Sequence, residues 1–551
     1  MSDPRQIFST AVAHHREGRL DEAAKLYEQV LKKVPNQVDC LHLLGVLSTQ
    51  RGDFKAAIEL ISRAIEQKKS APVAEFHNNI GAAYKGLGDL ESAGKHFATA
   101  ARLKPTYAEA FNNLGSVQER TGVLDDAEAN FNKALALKPD YAKAHCGLGN
   151  IALSRGSITD AITHFEKAIE IEPNFLEAHG NLGRALTDLG RLDEAEDRFR
   201  YILSLDPDNA AAHYGLGVAE EEKGDPEGAL TAYQKAISLA PDEPDFHWNA
   251  GLVHLLKGSY EAGWQEYEWR LKRAIKLTRN VDLPRWDGGD ISGKTILIQT
   301  EQGYGDTFQF IRYAQLLKDK GARIIVECQP KTEELIARAS GVDEVISRES
   351  DVPKCDLRIE LLSLPKIFGT TVDQIPATLP YIKPPRPLKE TWAERFVLAK
   401  GKKVGVVWRG NPLNTINPKK SVPIGEMAYI CAVKGVHCFA IQLDASAEEI
   451  AALNARAHVG ALGEDIFDWS DTASLIDAMD LIISVDTGVA HLAGALGKPT
   501  WVMLADVPDW RWMLDREDSP WYPGMRLFRQ AAAGDWRGVT ERVRKELAAE
   551  S

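Results

Sequence analysis

Three short stretches hold residue types that can do chemistry, and each follows a run of β-forming residues. LIISV leads into DTGVAHLAGALGKPTWVML, in which Asp486 ends the run, Thr487 and Gly488 open a helix, and His491 stands in its first turn. Free backbone N–H groups and the positive helix end at Thr487 to Val489 make a natural site for a pyrophosphate. His491 either faces that ligand or packs and caps the turn. TILIQ leads into TEQGYGDTFQFIRY, where Gly303 and Gly305 permit a tight loop. Asp306 then has two readings: a cap for a helix running from about Thr307 to Asp319, or a carboxylate facing a cleft as general base. KVGVVW ends in RGNPLNTINPKKSVP, whose Arg409, Lys419 and Lys420 either supply the positive charge that phosphates need or remain exposed loop cations.

Two further patterns fail on context. GGDISGKT, Gly288 to Thr295, fits the phosphate-loop pattern G-x-x-x-x-G-K-[ST], but that mechanism needs a strand before the loop and a helix after it. Here VDLPRWD precedes and the strand-like TILIQ follows, so the order is inverted and Lys294 reads as a solvated residue at a strand entrance. GYGDTF departs from G-x-G-x-x-G because Phe308 takes the third glycine position, which argues against a dinucleotide cofactor.

The elements that must position these residues alternate in β-rich runs and amphipathic stretches. TILIQ, RIIVEC, DEVIS and DLRIEL form one block; after the proline-rich IPATLPYIKPPRP, KVGVVW, HCFAIQL, LIISV and TWVML form a second. This pattern predicts two Rossmann-like domains with a cleft between them, ligands binding beyond the carboxyl ends of the strands. Three strand ends then direct their polar residues at one cleft. The aromatic set Trp510, Trp512, Trp521 and Tyr522 either stacks a sugar or base or packs one domain on another, and Trp536 to about Ala549 reads as a closing helix.

The first half is a repeat array. Glycines at 81, 115, 149, 183, 217 and 251, and again at 88, 122, 156, 190, 224 and 258, step by 34 residues. Prolines from Pro105 to Pro241, alanines from Ala93 to Ala229 and aromatics from Phe97 to Tyr233 keep the same step. The first glycine and the alanine are small where two helices cross, the aromatic fills the gap between units, and the second glycine sits in the turn. Proline ends each second helix. The array presents a groove suited to a peptide. Asn79, Asn113, Asn181 and Asn249 stand two residues before the first glycine of their units, a ladder interrupted by Gly147 and Gly215.

Composition bounds the rest. A chain of 551 residues with 44% apolar and 26% charged residues is expected to fold into several soluble domains. With 66 Lys and Arg against 79 Asp and Glu, the net charge of −13 argues against nucleic acid or an anionic membrane as partner. Without a signal-peptide core or an 18-residue apolar run, a cytoplasmic location and no membrane insertion are expected. Cys40, Cys146, Cys328, Cys355, Cys431 and Cys438 are scattered without a CxxC pair, which fits reduced thiols and implies no zinc site.

The repeat resembles the tetratricopeptide repeat, a helix-turn-helix unit of 34 residues that stacks into a superhelix. EQGYGDTFQFIRY, VGVVWRGNP, SVDTGVAHLAGALGKP and DWRWMLDREDSPWYP are similar to bacterial tetratricopeptide-repeat glycosyltransferases whose catalytic half is related to the heptosyltransferases, glycosyltransferase family 9. The architecture also resembles O-GlcNAc transferase, in which an asparagine ladder grips the backbone of an extended protein acceptor. The implied fold class is an all-α superhelix followed by an α/β GT-B half of two Rossmann-like domains. Its implied bounds are a repeat array of about eight units over 1–273, a linker over 274–294, a first Rossmann-like domain over 295–385 and a nucleotide-sugar-binding domain over 386–551.

The resemblance places that family's GD motif, whose aspartate is thought to act as base, on Gly305 and Asp306, with Gly303 in the same loop. Its D-T-G-x-x-H element falls on Asp486, Thr487, Gly488 and His491, and its phosphate-binding lysine on Lys420. The histidine that O-GlcNAc transferase has in its first loop has no counterpart here, which leaves Asp306 or Glu301 as the base, or no base at all. The expected activity is inverting, metal-independent transfer of a sugar from a nucleotide sugar to a Ser or Thr of a protein in the groove, flagellin or another surface protein by analogy. The donor is a substrate, and no cofactor is expected. The D-x-D at Asp206 to Asp208 lies in a repeat turn. Transfer to a lipid or polysaccharide, and a non-catalytic adaptor with a degenerate GT-B half, stay open as alternatives.

Overall fold

The computed structural model describes residues 3–273, 278–396, 401–410 and 417–550, with the side chains of 417, 418 and 464 excepted. The start of the expected linker, 274–277, and most of the loop after Arg409, 411–416, lie outside the described residues. The chain divides into two compact units, 1–216 and 217–551.

Unit 1 is built of antiparallel helix pairs, from Pro4–Arg16 with Leu20–Lys33 through Leu176–Asp188 with Leu192–Leu205. Its two glycine series have distinct causes. Gly18, Gly52, Gly88, Gly122, Gly156 and Gly190 take φ between 77° and 87° in the turns, a region L side chains rarely enter. Gly81, Gly149 and Gly183 instead lie against Phe97, Phe165 and Phe199, whose ring carbons would stand 2.5–2.7 Å from an added Cβ. Close helix crossing thus depends on that missing methyl group, and the buried rings fill the space it leaves.

Unit 2 begins with further helices of the same kind, including Pro226–Leu239, Pro244–Leu256 and Tyr260–Tyr267. The last of these carries Trp264, whose Nε1 donates to the Thr370 carbonyl at 2.9 Å, and Tyr260, whose hydroxyl accepts from Trp521 Nε1 at 3.1 Å. Trp264 also meets Trp510 edge-on with centroids 5.5 Å apart. Trp510 and Trp521 therefore pack this final repeat onto the α/β part.

The α/β part has two parallel sheets. Strands β1 (Thr295–Gln299), β2 (Arg323–Cys328), β3 (Glu344–Ser347) and β4 (Leu357–Glu360) form the first, in the order β3-β2-β1-β4. Strands β5 (Lys402–Val407), β6 (Val436–Ala440), β7 (Val459–Ala461), β8 (Leu481–Val485), β9 (Thr500–Leu504) and β10 (Met525–Arg529) form the second, in the order β10-β9-β8-β5-β6-β7. Numbered within itself, the second sheet reads 6-5-4-1-2-3, the doubly wound order in which ligands lie where the winding reverses. That point is the β5–β8 pair, registered Val404 to Leu481 through Val407 to Ser484. Both strands are buried along most of their length, as a sheet covered on two faces requires. The short β7 and the late β10 were not expected from sequence: VGA is too brief to show a pattern, and MRLFR alternates behind an aromatic-rich loop.

The GGDISGKT segment is a loop that enters β1, with Gly288 and Gly293 at positive φ and Lys294 exposed. Closing the chain, Trp536–Ala549 forms the expected helix.

Candidate functional site

The loops after β1 and β8 come together. The first leads into the helix Tyr304–Phe310, the second into the helix Gly488–Ala495. A Cβ added to Gly305 would lie 2.9 Å from His491 Cδ2 and 3.5 Å from Gly488 Cα, so the helix starts cross in direct contact. Trp469, at the start of Trp469–Ala478, packs beside them, its ring centroid 5.2 Å from Tyr304 and 4.8 Å from Phe308. Between the two sheets lies a cleft of 520 Å³, a size suited to a small ligand. Gly303, Gly305, Thr487 and Gly488 line one side, and Val407, Ile441 and Leu443 give it an apolar wall.

The helix starting at Gly488 carries the donors an anion needs. Thr487 is its N-cap, yet its side chain makes no capping hydrogen bond; its hydroxyl instead pairs with Ser484 Oγ at 3.0 Å. The N–H groups of Gly488, Val489 and Ala490 precede the first bond of the helix, His491 N to the Thr487 carbonyl at 3.3 Å, and Gly488 and Val489 line the cleft.

Asp306 sits elsewhere in its helix than expected. The helix begins at Tyr304 rather than Thr307 and breaks before Tyr313–Asp319. Gly303 is the N-cap, and Asp306 reaches back to accept from its N–H at 2.9 Å. The other oxygen of Asp306 accepts from Arg511, a contact sequence reasoning missed. Arg511 also donates to Gln309 Oε1 at 2.6 Å and to Asp509 Oδ1 at 2.9 Å, and lies over the Trp510 ring at 4.4 Å. The available signal was an arginine set between two tryptophans after an aspartate, in DWRW.

Lys420 reaches the same cluster: its Nζ donates to Asp486 Oδ2 at 2.8 Å. His491 Nε2 lies 3.9 Å from Asp486, its Nδ1 is paired with the Tyr522 hydroxyl at 3.0 Å, and its ring stacks on Trp512 with centroids 5.2 Å apart. Trp512 and Tyr522 thus brace the histidine from behind. Arg511 and Lys420 face three carboxylates, Asp306, Asp486 and Asp509. Burial opposes the Asp509 charge, yet Arg511 and Lys420 outweigh it and hold that carboxyl down at about 2. Burial raises Asp306 above the ordinary carboxyl value against the pull of Arg511. Burial also works against the Lys420 ammonium, but Asp486 and Asp509 raise its pKa overall. Burial and Arg511 push His491 down to about 4, so its imidazole is neutral at pH 7.

Three expected residues stand apart from this cluster. Glu301 is fully buried and held by Arg270 through two hydrogen bonds of 2.9 Å each, with Leu362 N donating at 3.1 Å. Arg270 is itself 1% exposed, so Glu301 is a structural ion-pair partner and not a candidate base. Arg409 does line the cleft, but its guanidinium is taken by Glu449, at 3.0 and 3.1 Å, and by Asp444. Its charge is therefore already matched. Lys419 is exposed and pairs with Glu222 at 2.5 Å.

Along the repeats, the ladder amides bond to protein neighbours: Asn79 to His42 Nε2 at 2.8 Å, Asn113 to Asn78 Oδ1 at 3.0 Å, and Asn181 to Asn150 Oδ1 at 3.0 Å. In unit 2, Asn249 Nδ2 lies 3.4 Å from the Tyr233 hydroxyl.

Backbone strain marks the loop before this site and the segment behind it. Gln302, just before Gly303, has φ +26°, and Met513, just after Trp512, has φ +52°. Non-glycine residues are held there only by surrounding structure.

Comparison with known proteins gives the class first. Profiles of the Tetratricopeptide repeat match residues 14–80, 74–107, 106–174, 152–200, 181–244 and 222–268. The profile of Glycosyltransferase family 9 (heptosyltransferase) matches residues 434–505, which include Asp486, Thr487, Gly488 and His491 but not Asp306, Lys420 or Arg511. The chain thus carries tetratricopeptide repeats over 14–268 and a segment similar to family 9 glycosyltransferases over 434–505.

Among particular proteins, it is 27% identical over 319 residues to Protein FlbA of Caulobacter vibrioides, covering 52% of each chain. It is 31% identical over 105 residues to human Superkiller complex protein 3, covering 18% of this chain and 7% of that one. The chain thus spans about half or less of the curated relatives it matches. Solved structures with a partial likeness include the Cut9–Hcn1 hetero-tetramer of APC/C, at 17% identity, 46% and 49% coverage and a TM-score of 0.39. A tetratricopeptide repeat protein from Parabacteroides merdae matches at 17% identity, 45% and 98% coverage and a TM-score of 0.39. Among the described residues, no helix is long and apolar enough to cross a membrane.

Proposed function

We propose that this chain is a glycosyltransferase of the GT-B arrangement that moves a sugar from a nucleotide sugar to a Ser or Thr hydroxyl of a protein held by the repeats, with inversion. The observation that carries this reading is the meeting of the Gly305–Asp306 loop with Thr487, Gly488 and His491 beside one cleft of 520 Å³. The family 9 profile over 434–505 supports it.

In this scheme the acceptor oxygen attacks the anomeric carbon as the bond from that carbon to the diphosphate oxygen breaks. Asp306 takes the hydroxyl proton, its raised pKa suiting a base that must let go again. The nucleoside diphosphate leaves with its charge met by N–H groups at Gly488 and Val489, by Lys420, and by Arg511 once it turns from Asp306 to the phosphates. The apolar wall at Val407, Ile441 and Leu443 suits a nucleoside base. The scheme calls on no metal ion and no cofactor. The acceptor lies along the repeats, with flagellin or another surface protein as its class and the cytoplasm as the place of reaction.

The test has two stages. Thermal shift against UDP, GDP, CMP and ADP identifies the donor nucleotide, one of which should stabilise the protein. Labelled sugar nucleotides of that class are then incubated with the protein and cell lysate. Label on protein is the expected result; label on glycolipid or polysaccharide alone overturns the protein-acceptor reading, and no label at all overturns transfer.

A further inference from the structure

In unit 1 the first helices of consecutive repeats, Ala74–Leu87, Ala108–Arg120, Ala142–Ser154 and Leu176–Asp188, stack on one another. Their shared face holds a pocket of 230 Å³, large enough for one side chain, with Lys85, Asn112, Glu119, Lys143, Asn150 and Glu177 around it. Gly147, where the asparagine ladder is interrupted, forms part of the wall. A Cβ there would strike the Phe131 ring, so the ring occupies the place of the missing ladder side chain and closes the pocket from below.

The pocket contains an unmet need. Asn112 is only 5% exposed, and its Oδ1 has no hydrogen-bond partner, while its Nδ2 makes a long 3.5 Å contact with Asn113. A buried acceptor without a donor costs free energy that an entering N–H or O–H group would recover. Neighbouring groups are already paired: Lys85 Nζ donates to Ser116 Oγ at 2.7 Å, and Asn181 donates to Asn150 at 3.0 Å, which in turn bonds Glu119.

The charges cancel, two lysines against two glutamates, so the pocket has no net pull on an ion. Burial raises the pKa of Glu119 and, together with Arg120, lowers that of Lys85. Both shifts mean that charge is already strained here, and a further buried ion of either sign would add to the strain. A neutral group that both donates and accepts is the best fit.

We propose that this pocket receives one uncharged hydroxyl or amide side chain, of Ser, Thr, Asn or Gln, from an extended peptide, and that this side chain donates to Asn112 Oδ1. The proposal rests on reading the repeats as the acceptor's track and adds the chemistry by which the acceptor is chosen.

The probe is a set of acetylated and amidated nonapeptides with one fixed central residue and mixed flanks, titrated against the full chain by fluorescence polarisation. Peptides centred on Ser, Thr, Asn or Gln should bind at least ten-fold tighter than those centred on Lys, Asp or Leu. Asn112→Leu should erase that preference. Lys143→Glu, at an exposed position and so safe for folding, should turn it toward Lys and Arg by at least ten-fold. A wild-type preference for charged or apolar centres, no binding of any peptide, or a preference unchanged in Lys143→Glu overturns the proposal. Sugar-transfer assays on the same proteins separate the two readings. Peptide selection without any transfer sinks the transferase alone, whereas transfer to protein that shows no central-residue preference sinks the pocket alone.

Discussion

A methyl group on Gly305 would stand 2.9 Å from Cδ2 of His491, although the two residues are far apart in sequence and belong to helices that follow strands of different sheets. This contact sets the spacing of the whole candidate site. His491 cannot give way easily, being buried, stacked on Trp512 and bonded to Tyr522. Gly305→Ala should therefore push the helix starts apart and destabilise the protein by roughly 1–3 kcal/mol, the usual cost of overpacking. It should also weaken nucleotide binding. Urea unfolding and nucleotide thermal shift on the variant check this; unchanged values in both would show that the contact is not tight.

Asp306→Asn should weaken both the cap to Gly303 and the ion pair with Arg511, which keeps Asp509, at a cost of roughly 1–3 kcal/mol, and lower sugar transfer by roughly 10²–10⁴-fold. The expected split is a fall in kcat with nucleotide affinity preserved. Full turnover by the variant would remove Asp306 from the mechanism.

Glu301→Gln should do the reverse. It removes the bidentate carboxylate from the buried Arg270, which keeps Glu268 at 2.8 Å to match its charge; losing those charged hydrogen bonds costs roughly 1.5–3 kcal/mol. The midpoint of unfolding should fall steeply, while the protein that remains folded at low temperature keeps its turnover. A variant of normal stability with no turnover would make Glu301 a candidate base again.

His491 predicts a pH effect. Its pKa falls from an ordinary 6.5 to about 4 on folding, so below about pH 6.5 the unfolded chain binds a proton that the folded chain refuses. Its contribution to stability is complete above pH 6.5 and is lost as pH falls toward 4, in total about 3 kcal/mol. His42, lowered to about 4 mainly by burial, adds a loss of the same sign. Urea midpoints of the wild type and of His491→Gln at pH 7.5 and 4.5 test this: the variant should lose less on acidification, and equal losses would refute the assignment.

The repeat turns give a purely backbone test. Gly122 has φ +79°, and a methyl group placed on it would meet nothing within 4 Å, so Gly122→Ala should cost roughly 1–2 kcal/mol through backbone conformation alone. Gly122→Asn, which tolerates that region better, should recover part of the loss in the same unfolding assay.

Much of this was written locally. Glycines, alanines and aromatics stepping by 34 residues specify helix pairs because each pair must repeat the same crossing, and the β-rich runs announce eight of the ten strands among the described residues because buried parallel strands must be apolar. The DTGVAH and GYGD segments were also legible, since a helix start after a strand end is a short-range pattern. Tertiary structure alone decided which of the nearby charges meet one another. Glu301 pairs with Arg270 and Arg409 with Asp444 and Glu449, whereas Asp306 pairs with Arg511 and Lys420 with Asp486 beside the two helix starts. Arg511, the cation nearest Asp306, comes from 205 residues further on. Charge pairing depends on distances across the fold, and no local spacing records them.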